Sequence, residues 1–159
     1  MFSNDLVCDI LDFIDQNINR KISMDELSER FYFNKDYIMR LFKKEIHCTI
    51  TEYINRLRIF YSLKDLREHN LSILSVGLNH GFVSLEYYSE IFRKNMGVSP
   101  SIYRDFTMRS INVLEEEIIT IQNSLAKLNS FYESITYYKN NRKKFYLKVY
   151  LYLNKKHIR

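Results

Sequence analysis

The sequence predicts an all-α fold in which two copies of a helix, turn and helix unit are joined by a long linker helix. A long C-terminal helix and a short segment patterned for a small β-hairpin follow. Three observations carry this reading. Only three Gly and one Pro occur in 159 residues, too few for a turn-rich β fold and suited to uninterrupted helices. Apolar residues recur at 3-to-4 spacing through most of the chain. The chain also repeats itself: a shift of 50 residues pairs Tyr37 with Tyr87, Leu41 with Ile91, Phe42 with Phe92, Lys43 with Arg93, Lys44 with Lys94, Thr49 with Ser99 and Tyr53 with Tyr103. Upstream the register is 49, pairing Ser28 with Gly77 and Tyr32 with Gly81.

The elements follow in order. Residues 4–18 form a first helix with Leu6, Ile10, Phe13 and Ile14 on one face. Met24, Leu27 and Phe31 then mark a short helix, Tyr32 and Phe33 a turn, and Asn34 the N-cap of a helix with Ile38, Leu41 and Phe42 inward. A linker helix over 51–69 spans about 28 Å at the α-helical rise. In the second copy Ile73, Val76 and Leu78 precede a turn at Gly81, and Ser84 caps a helix with Tyr88, Ile91 and Phe92 inward. Ser28 and Gly77 sit four residues before the turns, where two steeply crossing helices leave no room for a larger side chain. This is the helix-turn-helix pattern, at about 22–46 and 72–97.

Composition limits the function classes. With 46% hydrophobic and 27% charged residues the chain is that of a folded globular protein, long enough for one domain with a core or two small ones. Asp5 and Asp9 stand where a secretory signal would be basic. No apolar run approaches the roughly 18 residues of a membrane span, so a cytoplasmic protein with no membrane partner is expected. Two lone cysteines, Cys8 and Cys48, exclude a disulfide framework or a four-thiolate metal site. The scattered His47, His69, His80 and His157 match no catalytic motif, so neither catalytic nor metal residues nor a cofactor are expected. The net charge of +5 does not by itself indicate nucleic acid. Eight Lys/Arg and no acids lie in 139–159, leaving 16 basic against 19 acidic residues before them. Any DNA contact must come from local placement of cations on one face.

The run SMDELSERFYFNKDYIMRLFKKEI from Ser23, TEYINRLR from Thr51, LSILSVGLNHGF from Leu71 and IFRKNMGVSPSIYR from Ile91 resembles the DNA-binding domain of the AraC/XylS transcription regulators. Gly81-Phe82, Phe92, Gly97 and Ser99-Pro100 are its most specific part, and the resemblance covers residues 4–106 within an expected domain 1–106. It implies a regulator, an activator by the family's habit, that reads adjacent major-groove segments of double-stranded DNA with two recognition helices and works with RNA polymerase. Carried over position by position, it implies base contacts by Asp36, Met39 and Arg40 in the first unit and by Leu85, Glu86 and Ser89 in the second. Lys35, Lys43, Lys44, Arg93 and Lys94 are implied at phosphates. A guanidinium bonds guanine O6 and N7 together, which makes Arg40 the leading base reader. The second helix departs from the family: Glu86 and Glu90 face outward where polar or basic residues are common. So does Tyr32, at a turn where Gly or Asn would take a positive φ more easily. Arg58 suits a phosphate or an acid. Phe60, Tyr61 and Leu63 give the linker helix an apolar surface that something should cover.

Beyond 106 the resemblance ends. Over 107–138, Ile111, Leu114, Ile118, Ile121, Leu125, Leu128, Tyr132 and Ile135 alternate steps of 3 and 4. A two-stranded coiled coil, with Ile111 to Leu128 as the seam of a homodimer, and one helix packed on the chain's own Phe60 and Leu63 surface both fit. In the basic aromatic tail, 139–159, Phe145, Leu147, Val149, Leu151 and Leu153 alternate with polar or aromatic residues as in a strand; Ile135 to Tyr138 could mate with it through Asn140-Asn141. The rival to DNA reading is a helical protein-interaction adaptor or antagonist that uses the heptads, for which the acidic second recognition helix is the best support.

Overall fold

The computed structural model describes residues 3–68, 70–109 and 113–141, with side chains from Leu6 onward. Eight helices occur among them, and no strand: α1 (Ser3–Gln16), α2 (Met24–Phe31), α3 (Lys35–Ile46), α4 (Ile50–Leu66), α5 (Ile73–Asn79), α6 (Leu85–Met96), α7 (Pro100–Thr107) and α8 (Glu115–Asn141). They form two compact units. One takes the residues up to Ile54 and those from Ser130 onward; the other runs from Asn55 to Asn129.

Local chemistry sets the helix starts. Asn34 and Ser84 are extended, and their side chains accept from the N–H groups of Tyr37 and Tyr87, the caps expected for α3 and α6. Ser23, Ser72 and Ser99 do the same for Glu26, Ser75 and Ile102. Each such cap stabilises its helix by about 1 kcal/mol. Thr49 and Glu52 cap α4 reciprocally: the Glu52 N–H donates to Thr49 Oγ1 at 3.2 Å and the Thr49 N–H to Glu52 Oε2 at 2.8 Å.

In the first unit α1 buries Leu6, Val7, Ile10, Leu11 and Ile14, and α3 buries Ile38, Leu41, Phe42 and Ile46, with Leu27 from α2. The end of α8 adds Phe131, Ile135 and Tyr138 to this unit's buried residues, the Phe131 ring lying edge-on to Tyr53 at 5.8 Å. Lys139 Nζ is held by Asp15 at 2.5 Å and Asp12 at 2.6 Å of α1. Burial alone would lower the pKa of this ammonium, yet hydrogen bonds to the two carboxylates hold it above the ordinary lysine value.

In the second unit one core joins Ile59, Leu63 and Leu66 of α4, Val76, Phe82, Tyr88, Ile91, Phe92 and Met96 of the helix-turn-helix, and Tyr103 of α7. Ile121 and Leu128 of α8 complete it, with Phe60 and Leu125 packed at its edge. The apolar side of α4 is therefore covered by the chain's own C-terminal helix. Arg104 donates to the carbonyls of Leu66 at 3.1 Å and Leu71 at 2.8 Å, satisfying groups at and after the end of α4. Gly77 faces Tyr88 so closely that a Cβ there would lie 2.8 Å from Cδ1. In the first unit the Ser28 hydroxyl donates to the Phe33 carbonyl at 2.7 Å. Both small residues sit where the sequence places a steep helix crossing.

One expectation is corrected. Ile135 to Tyr138 are not a hairpin strand; they continue α8. The 3-to-4 face runs on through Leu128, Phe131, Ile135 and Tyr138, all buried, and no Gly or Pro interrupts it before Asn141. The period-two segment after residue 141 lies outside the described residues, as does Ile111.

Candidate nucleic-acid interface

The first unit presents its charges on the outer face of α3. The Asn34 cap fixes the start of the helix, and the burial of Ile38, Leu41 and Phe42 fixes its rotation. Asp36, Met39, Arg40, Lys43 and Lys44 are thereby turned to solvent, Met39 with 44% of its surface exposed. Arg40 makes one weak local bond, Nε to the Asp36 carbonyl at 3.4 Å. Its guanidinium edge stays available. Lys35 is exposed but ion-paired with Asp25 of α2; such a surface pair is worth about 0 to 1 kcal/mol. Phe33 and Tyr37 stack at 5.1 Å beside the turn.

That turn contains Tyr32, 92% exposed, with φ 59° and ψ 32°. The positive φ expected at this place is real, and a non-Gly residue adopts it. His47 repeats the situation at the end of α3 with φ 61°. The second copy uses Gly at both equivalent points, Gly81 with φ 81° and Gly97 with φ 75°.

The second unit rotates α6 in the same way, burying Tyr88, Ile91, Phe92 and Met96. Leu85, Glu86, Glu90, Arg93 and Lys94 are exposed, and Ser89 is half-buried. Val83, just before the helix, is 82% exposed. Arg58 is not at the surface: its guanidinium lies under the turn, about 3.0 Å from where a Gly81 Cβ would stand and 5.9 Å from the centre of the Phe82 ring. Burial lowers its pKa, partly offset by Tyr87. It is a residue that shapes the second turn, whereas the sequence suggested only a phosphate or an acid as its partner. Asn55 Nδ2 donates to the Tyr87 hydroxyl at 3.1 Å, tying α4 to α6, a contact with no sequence signal.

The expected contact residues thus fall into two sets, each gathered on one helix face of its own unit. The heptad residues do not share one free face. Ile121 and Leu128 are buried, Ile118 and Leu125 partly so, and Leu114 is 58% exposed just before α8. No group of His, Cys, Asp and Glu suited to a metal occurs among the described residues. None of their helices is long and apolar enough to cross a membrane.

The helix-turn-helix domain family matches residues 27–105. The chain is 30% identical over 103 residues to the HTH-type transcriptional activator AarP of Providencia stuartii, covering 65% of this chain and 76% of that one. Its fold is similar to that of a transcriptional regulator with an AraC-type DNA-binding domain from Chromobacterium violaceum, with a TM-score of 0.59 at 23% identity over 66% of this chain and 94% of the other. It is similar also to the DNA-binding domain of the global transcriptional factor AdpA, solved with a target DNA, with a TM-score of 0.60 at 18% identity over 65% and 93%.

Proposed function

Since the chain belongs to the AraC/XylS-type helix-turn-helix family of transcription regulators, we propose that it binds double-stranded DNA sequence-specifically in the cytoplasm and regulates transcription as an activator. It reads adjacent major-groove segments with α3 and α6. The observation that carries this is the outer face of α3, where Arg40, Lys43 and Lys44 stand exposed on a helix whose start and rotation are fixed by Asn34 and by Ile38, Leu41 and Phe42. Arg40 reads a base, joined by Asp36 and Met39. Lys35, Lys43 and Lys44 hold phosphates, which positions the protein without reading sequence. In the second unit Leu85, Glu86 and Ser89 face the bases, and Arg93 and Lys94 the backbone. An activator also needs contact with RNA polymerase, and AarP, itself described as an activator, supports that role.

The test compares two variants on specific and on random duplex DNA. Arg40→Ala should weaken specific binding by about 5- to 100-fold, the range of one bidentate base contact, with little effect on random DNA. Lys43→Ala should weaken both alike. Equal losses on both duplexes for both variants would refute the assignment of roles.

The adaptor or antagonist reading has one observation in its favour, the carboxylates Glu86 and Glu90 on the exposed face of α6. It is distinguished by the salt dependence of binding, steep for phosphate contact and flat without it. Self-association through the heptads is the weaker proposal, because Ile121 and Leu128 are already enclosed by their own unit. Sedimentation equilibrium should show a monomer at micromolar concentration.

A further inference from the structure

Set side by side at the 50-residue offset, the outward positions of α3 and α6 fall into two zones. At the C-terminal turn the pairs are conservative: Lys43 with Arg93 and Lys44 with Lys94, all exposed. Toward the N-terminus, the half a recognition helix points at base edges, three of the four pairs differ in chemistry and one keeps its carboxylate. Lys35 is replaced by Leu85 and Arg40 by Glu90, while Met39 becomes Ser89 and Asp36 becomes Glu86. Leu85 is 37% exposed, and Val83 stands beside it almost fully in solvent. Glu86 and Glu90 have no ion pair or hydrogen bond among the described residues; Glu86 stands in the first turn of α6, where a carboxylate suits the helix dipole, and Glu90 lies beyond that turn.

The major-groove code gives this face a definite preference. Guanine offers only acceptors there, O6 and N7, and a carboxylate repels them. Cytosine offers the N4 amino donor, which a carboxylate accepts, and thymine offers a C5-methyl group that an exposed leucine can cover. From these positions we infer that α6 is a pyrimidine reader. Leu85, flanked by Val83, covers thymine C5-methyl, and Glu90 accepts from cytosine N4, whereas Arg40 on α3 takes guanine. Arg93 and Lys94 in the last turn of α6 offset the repulsion between the carboxylates and the backbone. This rests on the proposal that both helices enter the groove, and it adds that the two segments of the target differ in base type although the units are copies of one design.

The experiment is selection of full-chain binders from randomised duplex DNA, run in parallel for the wild type, Arg40→Ala, Leu85→Ala and Glu90→Arg. The wild-type consensus should hold a guanine-bearing segment, lost in Arg40→Ala, and a segment whose contacted strand is thymine and cytosine. Glu90→Arg, which restores the residue of the first copy, should change one base of the second segment from cytosine to guanine and leave the first unaltered. Replacing thymidine by deoxyuridine in the second segment removes only the methyl group. It should weaken the wild type by about fivefold, the lower end of base discrimination, and leave Leu85→Ala unaffected. If Glu90→Arg tightens binding to every duplex without changing the consensus, or if the wild type tolerates deoxyuridine, the inference is overturned while the guanine segment still upholds DNA reading. If the wild type enriches no duplex at all, both fail together.

Discussion

Tyr32 and His47 occupy left-handed backbone at φ 59° and 61°, at the points where the second copy has Gly81 and Gly97. A side chain there costs about 1 to 2 kcal/mol, part of which glycine returns through its freer unfolded state. Tyr32 is almost wholly exposed, so its ring contributes little packing. Tyr32→Gly should therefore raise unfolding stability by about 0.5 to 1 kcal/mol in urea titration. Tyr88 is a second residue of consequence. It is fully buried, and its hydroxyl donates to Ser62 Oγ at 3.1 Å. Burial, only partly countered by the Ser62 bond, pushes its phenol well above the ordinary value of 10.0. A group whose folded pKa is raised stabilises fully below its unfolded pKa and loses that contribution as pH rises beyond it. Stability should accordingly fall above about pH 10, and Tyr88→Phe should lose less over the same interval. Repeat arithmetic made the positive φ at Tyr32 legible through Gly81. The buried Arg58 was not legible, because a guanidinium on an amphipathic helix reads equally as a surface cation until its neighbours are known.

Among the elements, the two helix-turn-helix units were readable nearly to the residue, since caps, small crossing residues and apolar spacing all pointed the same way. Gly77 shows how narrow the crossing is. A Cβ would come within 2.8 Å of the Tyr88 ring, so Gly77→Val should lower the urea midpoint by the equivalent of about 1 to 3 kcal/mol, the usual penalty of overpacking. α8 was legible as a helix ending close to residue 138, but not in its start, which is Glu115 and not 107, or in its partner. A heptad seam states only that one face is apolar, and a second chain or the chain's own α4 can cover it equally well. Ile135 to Tyr138 suited both the heptad-patterned helix and a strand mated to the alternation that follows, and the helix is what forms. Leu128 lies in the core shared by Leu63 and Phe92. Leu128→Ala should destabilise by about 2 to 5 kcal/mol, measured by thermal unfolding, as for other buried leucines.

For the whole molecule, the repeat indicated two copies with a helix between them, and the chain does divide within α4, after Ile54. What the repeat could not show is that α8 supplies buried residues to each unit, Ile121 and Leu128 to one and Phe131, Ile135 and Tyr138 to the other. Chain ending at residue 113 should unfold at lower urea concentration than the full chain, even though it contains the whole family match. The five assigned phosphate cations set a second whole-molecule expectation. With Lys35, Lys43, Lys44, Arg93 and Lys94 all engaged, log K against log salt should have a slope of about −4.5, at about −0.9 per phosphate. A slope near −3 would place only α3 on the backbone.

Gly97 closes α6 against α8, where a Cβ would meet the Thr120 methyl carbon at 2.3 Å. The segment that matches the family and the segment that follows it consequently share a lock-and-key tolerance at one atom pair. Chimeras that graft this C-terminal helix onto a related regulator, or replace it here, should tolerate a side chain at the recipient turn only where the residue opposite is smaller than threonine or turns its methyl away. Modules exchanged without that match should pack less closely at the splice while Ile121 and Leu128 still hold the helix.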